Sequence, residues 1–123
     1  MSDQLHSHRD LIVWQRSMDL AVAVYALTEK YPKSELYGLV SQSRRCSVSV
    51  PSNIAEGRRR SSKAELARFL TIAYASGAEL ETQIELVKRL PFGKDLDFAL
   101  VDSLLNEVMR MLNAMLRNLN LQN

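Results

Sequence analysis

The residues with the densest chemistry in this chain lie between Arg44 and Glu65, in the stretch RRCSVSVPSNIAEGRRRSSKAE. Three consecutive arginines, Arg58, Arg59 and Arg60, follow an Asn-Ile-Ala-Glu-Gly run and precede Lys63. Guanidinium and ammonium groups beside the free amides of a helix start suit phosphate, because both present donors to one anion. No aromatic stacking platform is evident around them, so the contact they predict is electrostatic, directed at the phosphate backbone of RNA or DNA, without base readout. The alternative is a solvated turn in a structural or protein-interaction module that binds no nucleic acid.

Other chemistry finds no support. Carboxylate-bridged metal sites in helix bundles need Glu-x-x-His on two helices, and the chain has none. Its two histidines, His6 and His8, fall in an expected N-terminal tail, residues 1–10, away from any helix. Cys46 has no histidine partner, and Ser49 has neither a histidine nor a nucleophile-elbow sequence. Gly-rich phosphate loops are absent. The expectation is a protein that is not an enzyme and takes no cofactor and no metal.

These residues need elements to position them. The chain has 123 residues, 46% of them apolar, with four glycines and three prolines, which fits one helical domain better than disorder or a turn-rich β fold. The spacing predicts a single domain over residues 11–120. Its first helix runs from Leu11 to Tyr31 with Asp10 as N-cap, and Pro32 ends it. A second runs from Glu35 to Glu56. Leu36, Leu39, Ser43, Cys46, Val50, Ile54 and Gly57 hold the helical period across Pro51, which predicts one kinked helix, with Gly57 as its left-handed stop; the alternative is a restart with Pro51 at the first helical position. Hydroxyls of Ser47 or Ser49 would compensate the carbonyl that Pro51 orphans. Ser62 and Glu65 form a capping box for the third helix, whose heptad runs from Leu66 to Val87. The segment LPFGKD breaks it, and a fourth helix starts near Leu96. The fold class is all-α, an antiparallel up-down four-helix bundle.

Charge is unevenly spread along these helices. Residues 44–68 hold seven basic and two acidic side chains, residues 69–109 three and seven. Complementary helices would pair them, and an antiparallel hairpin predicts two polar clamps: Arg44 and Arg45 with Glu79, and Asn53 and Glu56 with Arg68. The first helix carries a second apolar line, Trp14, Met18 and Tyr25, which predicts an oligomer interface. The start of the chain, MSDQLHSHRD, lacks the apolar stretch of a signal peptide. The longest uncharged runs reach half of the roughly 20 residues a membrane span needs. A soluble, cytoplasmic protein with a lone, buried Cys46 is expected.

Three segments, LIVWQRSMDLAVAVYALTEKYP, ELYGLVSQSRRCSVSVPSNIAEGRRR and ELARFLTIAYASGAELETQIELVKRL, resemble the bacterial 23S rRNA intervening-sequence protein family. That family is related to the accessory variability determinants of diversity-generating retroelements. The resemblance covers about residues 9 to 119. It is carried by Arg44 to Cys46, Ser49, Pro51, Asn53 to Gly57, Glu65, Arg68 to Leu70, Ser76 and Glu79 to Glu81, with Cys46 standing where alanine is usual. It implies a bundle that assembles into a homopentameric ring. For the retroelement branch it further implies a basic surface that engages nucleic acid and a reverse transcriptase, and for the ribosomal branch it brings no biochemical activity.

Overall fold

The computed structural model describes residues 7–121. Four helices account for most of them: α1 (Ile12–Thr28), α2 (Ser41–Arg58), α3 (Lys63–Arg89) and α4 (Ala99–Leu121). Side-chain pairs between neighbours fix their directions. Ser43 meets Gln83 and Ser49 meets Ser76 across α2 and α3, so later residues on one helix face earlier ones on the other. Gly77 faces Met109 while Lys88 reaches Asp102, giving α3 and α4 the same opposed sense. Arg44 reaches Thr28 of α1, and the 3-10 turn His8–Asp10 touches α2. The bundle is up-down.

Its axis is filled by Leu20, Val24, Val50, Ile54, Leu70, Leu80, Ile84, Val87, Val108 and Leu112, each at most 1% exposed. Each such side chain contributes about 1.5–3 kcal/mol of apolar transfer, which offsets the conformational entropy of ordering long helices. Helical spacing on all four helices puts these residues on the inner stripe, which is why the period was readable.

The ends of the elements depart from expectation. Asp10 does not cap α1; it lies inside a 3-10 turn whose own cap is Ser7, with the Arg9 N–H donating to Ser7 Oγ at 3.0 Å. The N-cap of α1 is Leu11, without a side-chain acceptor. His8 therefore belongs to an ordered turn rather than a tail, and its ring meets Trp14 edge-on at 5.0 Å between centroids. His6 lies outside the described residues. The second helix does not begin at Glu35. A 3-10 turn, Lys33–Glu35, and a π turn, Leu36–Val40, precede α2, because Gly38 leaves helical geometry (φ −113°, ψ −107°). Leu36 is consequently exposed.

From Ser41 onward α2 runs unbroken through Pro51. The two expected hydroxyls serve other groups: Ser47 Oγ donates to the Arg44 carbonyl, and Ser49 Oγ pairs with Ser76 Oγ at 2.8 Å. Gly57 is no left-handed stop, since no described glycine has positive φ. It is buried inside α2, where a Cβ would lie 3.0 Å from Phe69 Cβ and 3.2 Å from Leu66 Cδ1. Its role is close approach of α2 to α3. Half of the capping box forms, the Glu65 N–H donating to Ser62 Oγ, while the Glu65 carboxylate turns to Arg68 instead. Among the described residues, no helix is long and apolar enough to cross a membrane.

Tyr31 lies beyond α1, 6% exposed and tilted against Phe92 at 5.3 Å, and its hydroxyl has no partner among the described residues. Burial pushes its pKa up to about 12 from 10.0. A raised folded pKa contributes stability that is complete below the unfolded value and lost on going above it. Stability should thus fall between pH 10 and 12, and the Tyr31→Phe variant should lack that component. At pH 7 the variant should be as stable as the parent or up to about 1 kcal/mol more so, because it removes an unpaired buried hydroxyl. Denaturant melts of both proteins at pH 7 and across the alkaline range check this.

Candidate functional site

The α2–α3 connection borders an open depression of about 650 Å³. It is lined by Gly57, residues 58–63 and Leu66, together with Ser7 and His8 of the N-terminal turn. The connection is tight because the backbone N–H groups of Arg59 and Arg60 donate to the carbonyls of Glu56 and Gly57, prolonging the last turn of α2. Ser62 then opens α3, a helix of 27 residues. Its first amides, at Lys63 and Ala64, precede the first helical hydrogen bond, Leu66 N–H to the Ser62 carbonyl, so they face outward as donors.

The three arginines are not equivalent. Arg58 is the last residue of α2 and is half-buried. Arg59 and Lys63 are exposed. Arg60 folds back to Glu56 and lies 4.9 Å from the centre of the Phe69 ring. Arg68 covers the same ring at 4.4 Å and pairs with Glu65. An aromatic ring therefore does stand beside the turn, contrary to the sequence reading, but two guanidiniums occupy it. The His8 imidazole is held below its usual pKa by partial burial and then by the charges of Arg9 and Arg59. An anion here would reverse the electrostatic part of that shift.

The predicted clamps form differently. Adjacent helical residues point about 100° apart, so Arg44 and Arg45 cannot both face α3. Arg44 turns to α1: its Nε donates to Thr28 Oγ1 at 2.9 Å, its Nη2 to the Tyr25 carbonyl at 3.3 Å, and it stacks on the Tyr25 ring at 4.4 Å near Glu29. Arg45 and Glu79 do reach the same small depression, with Cys46, Ser49 and Ser76, but form no ion pair. Glu56 and Arg68 each take a partner on or beside their own helix, which needs no reach across the groove. Asn53 Nδ2 donates to the Ser49 carbonyl and hydroxyl.

The contacts that do join α2 to α3 are neutral. Ser43 Oγ donates to Gln83 Oε1 at 3.1 Å, and Gln83 Nε2 donates to Cys46 Sγ at 3.6 Å, all three buried. Burial pushes the Cys46 thiol up, aided by the nearby charge of Glu79. In the sequence, Ser43 and Gln83 stood out only as polar residues in or beside apolar stripes. Arg16 with Glu107 and Lys88 with Asp102 link α4 to its neighbours, and neither pair was anticipated. Among the described residues, no three His, Cys, Asp or Glu side chains gather to hold a metal.

On α1, Met18 and Tyr25 are exposed at 41% and 44%, and Val22, missed in the sequence, at 69%. Trp14 is half-buried against His8 and the core, so it contributes less to this face. Compared with known proteins, the chain matches the family model described as 23S rRNA-intervening sequence protein over residues 9–114. No curated protein matches it.

Proposed function

The chain belongs to the 23S rRNA-intervening sequence protein family, and from that premise we propose that it is a cytoplasmic, non-enzymatic, oligomeric scaffold that associates with RNA through phosphate contacts at the α2–α3 turn. The observation that carries this reading is a depression lined by the exposed Arg59 and Lys63 together with Ser61 and Ser62, at the start of α3. Cations and unpaired amides there serve the same anion. Arg60 is a weaker contact than its sequence position implied, because Glu56 already neutralises it. Assembly is supported by the exposed line Met18, Val22 and Tyr25, and the resemblance makes a five-membered ring the closed form to expect.

Binding of a generic RNA to the full chain, measured by anisotropy over a salt series, tests the reading. The double variant Arg59→Ala/Lys63→Ala should weaken binding and flatten the salt slope by about one to two units. Its thermal stability should change by less than about 0.5 kcal/mol, as for exposed sites. No binding by the parent at low salt would leave a structural or protein-interaction module as the account.

A further inference from the structure

Resting on that reading, we propose that the depression takes the terminal phosphomonoester of an RNA strand rather than an internal phosphodiester. The first argument is where the positive charge stops. Arg59 and Lys63 line the depression, but one turn back along α2 lies Glu56, and half a turn into α3 lies Glu65. The arginines that pair with these carboxylates, Arg60 and Arg68, are drawn onto Phe69. A backbone running along either helix would pass within one turn from Arg59 and Lys63 to arginine–carboxylate pairs that carry no net charge. A strand that ends here would not.

The second argument is the donor set. A monoester presents three terminal oxygens and up to two charges, a diester two oxygens and one charge. Ser7 Oγ accepts from the Arg9 N–H and Ser62 Oγ from the Glu65 N–H, which leaves both hydroxyl hydrogens to donate. With Ser61, Arg59 and Lys63, the depression is lined by more donor-bearing side chains than the two terminal oxygens of a diester need. The third is that Ser7 and His8, from a separate segment, line the same depression as Lys63 and add a hydroxyl and an imidazole to it. Arg9 and Arg59 face His8, and Arg58, Arg60 and Lys63 line the same space. A dianion among them would favour the imidazolium, adding one more donor.

The experiment uses RNA oligomers of one sequence carrying a 5′-phosphate, a 3′-phosphate or hydroxyls at both ends, with the full-length protein. At least one phosphorylated form should bind about tenfold more tightly than the hydroxyl form, or 1.4 kcal/mol. Which end is preferred separates the two sources of the same group. The preference should vanish in Lys63→Ala and in the less perturbing Ser61→Ala. Inorganic phosphate alone should raise the His8 titration midpoint, followed by its ring proton resonance and by the fluorescence of the sole tryptophan, Trp14. Equal binding of all three oligomers would overturn the inference while leaving RNA association intact. Absence of binding by any RNA would overturn both.

Discussion

Gly93→Ala is expected to be the most destabilising single-methyl change in the chain. Gly93 is buried in the 3-10 turn Pro91–Gly93 that follows α3. A Cβ there would fall inside the van der Waals surface of the Val87 carbonyl oxygen, 2.7 Å from the Val87 carbonyl carbon and 3.0 Å from Val87 Cγ1. That carbonyl cannot step aside, because it accepts the Leu90 N–H at 3.0 Å and ends the helix. Leu90 is held extended before Pro91, so the turn cannot swing outward without losing its geometry. Relief requires moving the turn or unwinding the end of α3, which costs about 3 kcal/mol, or roughly 10 °C of melting temperature for a domain of this size. Gly77→Ala supplies the comparison. Its Cβ would collide with the Met109 thioether, whose unbranched side chain can rotate away, so the loss should be clearly smaller. Equal Tm values for the parent and the Gly93→Ala variant would show that the turn yields more easily than its hydrogen bonds imply.

Gly93 also illustrates which features were legible in the sequence. LPFGKD read correctly as a break between helices, because Pro91 forbids helical geometry at Leu90. The reason for the glycine was not legible: no described glycine has positive φ, and both Gly57 and Gly93 are required by a neighbouring segment distant in sequence or a turn away. The period of 3.6 identified the inner stripe of all four helices, since burial repeats with the helix. It failed at the ends of elements. Asp10 fits an N-cap as well as Ser7 does by composition, and only the backbone path decides between them.

Polar pairing was least legible, for a physical reason. Periodicity says which residues lie level across two antiparallel helices, and it did bring Arg45 and Glu79 to one depression. It does not say whether a long side chain will span the groove or satisfy itself nearby. Glu56 and Arg68 take near partners, and Arg44 takes Thr28 and Tyr25 on α1, outside the α2–α3 hairpin. The buried Ser43–Gln83–Cys46 chain carried no charge to draw attention, yet it is the desolvated polar contact between α2 and α3. At the candidate site the residue types were readable and their availability was not. Of the four predicted contacts, Arg59 and Lys63 are exposed in the depression while Arg60 is engaged by Glu56 and Phe69.

In the proposed ring, Val22→Asp should give single subunits without unfolding them. Met18, Val22 and Tyr25 recur at intervals of four and three, so they form one stripe on the outside of α1, where their own bundle gives them little cover. Arg44 lies on the Tyr25 ring and is itself anchored by Thr28 and the Tyr25 carbonyl. A methionine, a tyrosine held by a cation and a valine match the side chains that dominate protein interfaces, with part of the ordering cost already met within the subunit. Val22 is the most exposed of the three, so an aspartate there meets only water in the free subunit and should alter its stability by less than about 0.5 kcal/mol. In an assembled ring the same carboxylate would lose its hydration with no partner beside it, at a cost of several kcal/mol per contact. A closed ring repeats that cost at every contact, so the loss should be all-or-none rather than graded. Light scattering at micromolar concentration should give a ring mass for the parent and the mass of one chain for the variant, with unchanged far-UV helical signal. Trp14→Ala should instead lower stability, because its indole packs on His8 and the core. A parent protein that scatters as a single chain would remove the ring, and a Val22→Asp variant that stays assembled would move the interface to another face of the bundle.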